Sequence, residues 1–374
     1  MTVIDLVNKF NNIFKHIKKE SKIVVASSGG LDSTVILFLL KINNFNNVVS
    51  LTMKHLLKER TDSKSCCSIK DIVSLKDICL SELNFMHYTV DLHDIFSKKI
   101  KREFIRSIEE NLTPNPCAEC NKHIKFGALR DIALNILSAD IFVTGHYAKI
   151  INEEIYCSVD PTKDQSYFLS LVPKKQLKNV VLPLGYIKKE EIINFSKKHN
   201  ILKQLFKYKK ESQGVCFINS NWKTYIDQNI KLKAGWGVYK NKIITRFNNI
   251  NIFTIGQKWF SKSHKRFLIV VKKKENLLIL DDKPNFSNLI FVSNVNLMFE
   301  NKYDQNNLYV VFRYHAVPLK CYLTRYKNFV LIITVKSVVE SCTPGQIAAV
   351  YQNLTLKNSK MKKVIFGGKI LKTI

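Results

Sequence analysis

The chain has 374 residues, enough for two or three domains, and its 46% apolar and 24% charged residues give the balance of a protein with sizeable buried cores. Lysine and arginine so outnumber aspartate and glutamate that the net charge is +29, which favours a polyanionic partner, nucleic acid ahead of a membrane. No run reaches the ~18 uninterrupted apolar residues of a membrane helix, and nine cysteines, an odd number spread along the chain, do not suit a disulfide scaffold. A cytoplasmic protein with some working thiols is expected, without a membrane partner and without a secretory leader, because Asp5 and Lys9 interrupt the first apolar residues.

Residues 1–20 read as an amphipathic helix, with Ile4, Val7, Phe10, Phe14 and Ile17 at helical spacing. Ile23-Val24-Val25-Ala26 is a strand, Ser27-Ser28-Gly29-Gly30-Leu31-Asp32-Ser33 a turn, and Val35 to Leu40 the start of a helix. A strand–turn–helix join of this kind aims backbone N–H groups and the positive end of a helix at one point, which makes an anion site. Ser28 and Ser33 add hydroxyl donors, and Asp32 is placed to hold a magnesium ion that bridges phosphate oxygens. The string is neither a Walker loop nor a G-x-G-x-x-G loop. It resembles the PP-loop of ATP pyrophosphatases, which cleave ATP between the α- and β-phosphates and adenylate a carbonyl oxygen.

Further strands are expected at Asn47–Met53, Met86–Val90 and Ile141–Thr144, with helices between them near 71–83, 95–109 and 123–138. That alternation predicts a doubly wound parallel sheet, with ligands beyond the carboxyl ends of its strands. Cys66-Cys67 read as structural or incidental thiols. In Thr113-Pro114-Asn115-Pro116-Cys117-Ala118-Glu119-Cys120-Asn121-Lys122, two prolines stiffen a loop and a Cys-x-x-Cys pair opens a helix from Asn121 onward. A thiol at a helix N-terminus beside Lys122 and Lys125 should be a competent nucleophile. A complete zinc site is not supported, since no second Cys-x-x-Cys or correctly spaced His accompanies it. Asp160–Leu169 reads as a polar loop, either a solvated turn or one whose Lys163, Asp164 and Gln165 reach a base. Residues 186–211 form a strongly basic helical region, and Cys216 sits in an apolar, strand-like stretch, Ser212 to Ile218. From about 265 short alternating strands (FLIVV, NLLIL, LIFVSNV, LYVVFRY and onward) suggest a small barrel or sandwich.

Taken together and in order, SSGGLDS, TPNPCAECNKHIKF, TGHYA, DPTKDQSYFL, LPLG, SQGVCFI, TIGQ, RY and TPGQIAAVY resemble the tRNA-specific 2-thiouridylases (the MnmA family) over nearly the whole length. The resemblance implies a PP-loop, Rossmann-like catalytic domain at 1–212, a small central tRNA-contacting domain at 213–280 and a C-terminal β-barrel at 281–374. It implies adenylation of the wobble uridine C2 carbonyl with ATP and Mg2+, then sulfur transfer from a cysteine persulfide, giving 2-thiouridine in tRNAs for Lys, Glu and Gln. Asp32 acts in adenylation, Cys120 matches the nucleophilic cysteine and Cys216 the persulfide carrier, and the two are implied to form a disulfide as sulfur is released. ATP contacts match Ala26, Ser27, Ser28, Gly29, Gly30, Leu31, Asp32, Ser33, Met53 and Gly145. Target-base contacts match Asn115, Pro116 and Cys117, and other tRNA contacts match His146, Lys163, Asp164, Gln165, Arg313, Tyr314 and Gln346. The implied partners are the tRNA anticodon stem-loop and a sulfur-donor protein such as a cysteine desulfurase or persulfide relay.

Two departures stand out. Cys117 occupies a position where the best-known members have Asp, so that Cys117, Cys120 and Cys216 supply three thiolates, enough for a [4Fe–4S] cluster with one open iron, as a rival to the plain persulfide route. After Gln257 the family's glycine-rich continuation is replaced by Lys258-Trp259-Phe260-Ser261-Lys262-Ser263-His264. Two rival readings stay open: another PP-loop enzyme, such as an amide-forming ligase or lysidine synthetase, and a basic RNA-binding protein with a decayed site. Cys120 and Cys216 discriminate against the first, and the intact SSGGLDS against the second.

Overall fold

Strand β1 (Ile23–Ala26) is fully buried at Ile23, Val24 and Val25, because it lies at the centre of a sheet covered on both faces, where a continuous apolar run is required. It pairs in parallel with β2 (Val48–Lys54), which in turn pairs with β3 (Met86–Asp91), and on its other side with β4 (Ile141–Thr144). After β4 the chain makes an antiparallel hairpin, β5 (Ala148–Ile151) and β6 (Glu154–Cys157), and then adds the short β7 (Val180–Val181) in parallel to β4. The sheet order is β3-β2-β1-β4-β7, the expected doubly wound arrangement. The helix Leu31–Ile42 buries Val35, Ile36, Leu37, Leu39 and Leu40 against it. Helix Val3–Phe14 contributes Leu6, Phe10 and Phe14 to the same core, with the last two rings stacked at 4.7 Å. Ile4, expected on that face, is 69% exposed instead.

The structure, a computed structural model, describes residues 3–56, 68–203, 214–218, 221–284, 286–297, 303–326, 329–339, 342–356 and 359–373. Cys66, Cys67, the end of the basic region at 204–211, and Ser212 and Gln213 lie outside the described residues. The chain forms two units. The first comprises Met1–Lys99, Cys117–Phe217 and Leu354–Val364, and holds the parallel sheet; its hairpin β5–β6 pairs through Tyr156 with Lys363.

The second unit comprises Ile100–Pro116, Ile218–Asn353 and Ile365–Ile374. One of its sheets contains β8 (Gly235–Tyr239), β9 (Lys242–Phe247), β10 (Lys258–Ser261), β11 (Arg266–Lys274) and β12 (Leu277–Asp281) in the order β10-β11-β12-β8-β9. FLIVV and NLLIL therefore join this sheet and not the barrel. The segment that departs from the family after Gln257 forms β10, antiparallel to β11. The barrel consists of β13 (Phe286–Leu297), β14 (Leu308–Val311), β15 (Leu319–Tyr326), β16 (Phe329–Val339), β17 (Ile347–Leu356) and β18 (Ser359–Thr373), in the order β13-β16-β15-β14-β17-β18. Pairing of β18 with β13, from Ile290↔Thr373 to Leu297↔Phe366, closes the ring and removes its open edges. Its interior is filled by Ile290, Val292, Leu308, Val310, Phe312, Ile332, Val350 and Phe366.

Candidate active site

At the carboxyl end of β1 the chain turns through Ser27–Gly30 into helix Leu31–Ile42. Gly29 has φ +68°, and a Cβ there would stand 2.9 Å from the carbonyl oxygen of Asp71, in the first turn of helix Ile69–Asp77, so both backbone conformation and space demand glycine. The hydroxyls stitch the turn: Ser28 N–H donates to Ser33 Oγ (3.2 Å), Gly30 N–H to Ser28 Oγ (3.3 Å), and Ser33 Oγ to the Gly30 carbonyl (3.2 Å). No side chain caps the helix that begins after Gly30. Its first amides and its positive end are thus directed at whatever anion lies before the turn. This cradle fits a nucleotide phosphate chain. Met53, 6% exposed near the end of β2, and Gly145, whose added Cβ would lie 3.5 Å from Ser33 N, flank the turn on the neighbouring strands.

Helix Pro116–Cys120 starts five residues earlier than the sequence suggests and leads into Asn121–Leu129. Cys117 is therefore in the first turn and exposed, while Cys120 sits one turn on and is 8% exposed. Asn121 ties this helix to the sheet. Thr144, the last residue of β4, donates its hydroxyl to His146 Nδ1 (2.7 Å), His146 Nε2–H donates to Asn121 Oδ1 (3.2 Å), and Asn121 Nδ2 donates to the Phe168 carbonyl (3.2 Å). The amide's contact with a carbonyl fixes its orientation and hence the imidazole tautomer. Burial, reinforced by Lys125, pushes the His146 pKa well below the ordinary histidine value, so the ring is neutral.

Cys216 is half-buried, and its neighbour Phe217 locates the segment. Residues 214–218 form no strand; Phe217 packs edge-on against Phe96 (5.9 Å), which packs against His55 (4.7 Å), the residue following Lys54 at the end of β2. β2 and β4 flank β1, the strand that leads into the phosphate turn. Cys120 is on the helix tied to the end of β4, and Cys216 is on the segment packed through Phe96 on the residue that follows β2. Other thiols are poor candidates: burial pushes Cys79 up to about 11, Cys321 and Cys342 up to about 12, and Cys157 higher still.

The loop 160–165 is held from within. Asp164 Oδ1 accepts from Ser158 N–H (2.7 Å) and Oδ2 from the Ser166 hydroxyl (2.6 Å), and Gln165 Oε1 accepts from Tyr147 N–H (3.0 Å). Asp164 and Gln165 thereby position the Tyr147 segment, while Lys163 is half-buried beside them. In the second unit the structure brings together Asn115 and Gln346, 231 residues apart, through Asn115 Nδ2 donating to Gln346 Oε1 (2.9 Å). A Cβ on Gly345 would meet Leu112 Cβ at 2.7 Å, and Thr113 N–H donates to the Pro344 carbonyl (2.8 Å), so the two segments lie in close contact. Arg313, exposed, and Tyr314, half-buried, lie in the turn that follows β14. Pro116 closes this unit's segment, next to Asn115.

A family model described as tRNA methyl transferase HUP domain matches residues 21–220, and one described as Aminomethyltransferase beta-barrel domain matches residues 287–356. The tRNA-specific 2-thiouridylase MnmA of Hydrogenobaculum sp. is 32% identical over 337 residues, which is 88% of this chain and 96% of that one. The chain belongs to the tRNA-specific 2-thiouridylase family. Another relative, MnmA 1 of Clostridium tetani, is 32% identical over 377 residues, 96% of this chain and 98% of that one. Against the solved structure of U34-tRNA thiolase NcsA from Methanococcus maripaludis with its [4Fe-4S] cluster, the TM-score is 0.36 at 16% identity, covering 61% of this chain and 74% of that one, too slight a likeness to argue from.

For this family member an iron–sulfur cluster would need three thiolates converging on one point. Among the described residues no group of three or more His, Cys, Asp or Glu is arranged to hold a metal ion, and Cys117 is exposed where Cys120 is buried. As placed here, Cys117, Cys120 and Cys216 do not form the ligand set of a cluster. Three residues of the site carry no distinct signal in the sequence: Asn121 and Tyr147, which stand inside motifs marked by their neighbours, and Lys189, one lysine in a basic run, whose ammonium grips Asp32.

Proposed function

We propose that the protein is a tRNA 2-thiouridylase that adenylates the C2 carbonyl oxygen of the wobble uridine and replaces that oxygen with sulfur. The observation that carries the reading is the phosphate turn at the end of β1, flanked by segments bearing Cys120 and Cys216 anchored at the ends of β4 and β2. The uridine O2 attacks the α-phosphorus of ATP, held at Ala26–Ser33 with Met53 and Gly145 alongside, and pyrophosphate leaves. Activation is needed because a free carbonyl oxygen cannot depart from C2, whereas AMP can. The terminal sulfur of a persulfide on Cys216 attacks C2, and AMP leaves with the former O2. Cys120 thiolate then attacks Sγ of Cys216, breaking the S–S bond; its electron pair stays with the sulfur now on the base, and a Cys120–Cys216 disulfide remains. A dithiol reductant supplies two electrons to reopen the site. The wobble base must leave its stack to reach the turn. Asn115, Pro116, Cys117, Lys163, Asp164, Gln165, Arg313, Tyr314 and Gln346 are assigned to the RNA, and His146 to orientation of the helix carrying Cys120.

The division into catalytic (1–212), central (213–280) and barrel (281–374) domains, a sulfur-donor protein as partner and a cytoplasmic location belong to the same proposal. Among the described residues no helix is long and apolar enough to cross a membrane. The test is thiolation of an anticodon stem-loop by protein loaded with persulfide, with ATP present and iron counted in the same sample. Formation of 2-thiouridine, lost in Cys120→Ser and in Cys216→Ser while ATP still binds, is the expected result. A fully active Cys216→Ser protein overturns the persulfide assignment. RNA binding without ATP-dependent thiolation overturns the enzyme reading.

A further inference from the structure

Beside the phosphate turn lies a cation that no step of thiolation uses. Lys189 opens helix Lys189–Lys197, and its side chain is 11% exposed. Its Nζ donates to both oxygens of Asp32, at 2.7 and 2.8 Å, and lies 5.7 Å from the centre of the Tyr147 ring. Tyr147 donates its hydroxyl to Asp32 Oδ1 (2.9 Å). The root of the lysine is fixed as well, since Lys189 N–H donates to Asp160 Oδ2 (3.0 Å).

Positive groups gather at this point. Two helices, Leu31–Ile42 and Lys189–Lys197, begin at this point with their positive ends, and a lysine at the first position of a helix opposes the dipole. Glu191, in the same first turn, is already taken by Lys9 at 3.1 Å and by Lys188 N–H at 2.6 Å. Asp32 thus faces the ammonium at the start of helix Leu31–Ile42, while Asp160 takes the first N–H of helix Lys189–Lys197. A polyphosphate arriving at the turn meets that ammonium, and a buried ammonium is stable only while an anion accompanies it. With both oxygens held by Lys189, Asp32 can take a magnesium ion only if the lysine moves.

We propose that Lys189 is a triphosphate-binding residue of the nucleotide site, held on Asp32 until nucleotide arrives, whereupon its ammonium passes to the phosphates and Asp32 to the accompanying magnesium ion. The inference rests on the ATP site assigned above. It is tested by calorimetry with the non-cleavable analogue α,β-methylene-ATP and with AMP, in magnesium and in EDTA. Lys189→Met should weaken the analogue by about tenfold to a hundredfold, the worth of one charge-assisted hydrogen bond, and AMP much less. Lys189→Arg should keep most of the affinity. Asp32→Asn should tighten the analogue in EDTA, because the lysine is released, and weaken it in magnesium. A purely structural ion pair predicts the opposite in EDTA, with analogue and AMP weakened alike; either result overturns the inference. Wild-type protein that binds the analogue through Lys189 but thiolates no RNA refutes the thiolation reading alone. Failure of wild type to bind the analogue refutes the nucleotide site and Lys189's role together.

Discussion

Lowering the pH should loosen the protein through His146. The ring is buried, donates to Asn121 and accepts from Thr144, and its pKa is held well below the ordinary value by burial and by Lys125. A histidine depressed in the folded state takes up its proton only in the unfolded chain, so the stability it gives is complete above the unfolded pKa and is lost as pH falls from there toward the folded one. Below an unfolded value of about 6.5 the loss grows by at most about 1.4 kcal/mol per pH unit, until the folded ring itself takes up the proton. Urea unfolding of wild type and His146→Gln at pH 7, 6 and 5 isolates it, because His87 and His199, also depressed by burial, titrate equally in both proteins and cancel. The stability gap between the two should narrow progressively from pH 7 to pH 5, with a slope of at most about 1.4 kcal/mol per pH unit. Parallel pH curves would refute a neutral, doubly bonded His146 and with it the tie between β4 and the helix of Cys120.

Gly29→Ala should abolish nucleotide binding and lower stability by about 1–2 kcal/mol from the left-handed backbone alone, with the contact to the Asp71 carbonyl added, read by calorimetry and thermal melting. Asn115→Ala and Gln346→Ala should each cost about 1 kcal/mol of stability and weaken RNA binding, and the double variant should cost no more than either, as a double-mutant cycle by denaturation and filter binding would show. Alkylation at neutral pH should modify Cys117 long before Cys321 or Cys342, whose thiols stay protonated, when followed by peptide mass spectrometry.

The central strands were legible because a parallel strand buried on both faces leaves an unbroken apolar run, as in Ile23–Val25, and because the turn that follows needs residues of particular shape at Gly29. The order of motifs carried the family. What could not be read was pairing at a distance. FLIVV and NLLIL have the same local pattern as the barrel strands; only the partners of β11 and β12 decide which sheet they join. Ile4 fits the helical period but falls beyond the edge of the buried face, and residues 214–218 look extended until Phe217 is seen to turn onto Phe96.

The same limit applied within the site, where it has a chemical consequence. Asp32 and Lys189 are 157 residues apart, and nothing in a run of lysines marks the one that closes on a carboxylate. The spacing of Thr144 and His146 along one strand end likewise does not reveal that Asn121, on another element, accepts the imidazole proton. Side chains from separate elements therefore position this site twice: Lys189, Tyr147 and Asp160 around Asp32 on the nucleotide side, and Thr144, His146 and Asn121 behind Cys120 on the thiol side. Both sets are anchored at the carboxyl ends of neighbouring strands, so the turn and the helix of Cys120 share one frame. The proposed sulfur transfer needs that arrangement, because an adenylated base would be exposed to water until a thiol-borne sulfur reached C2, and a loosely held cysteine would lose that race.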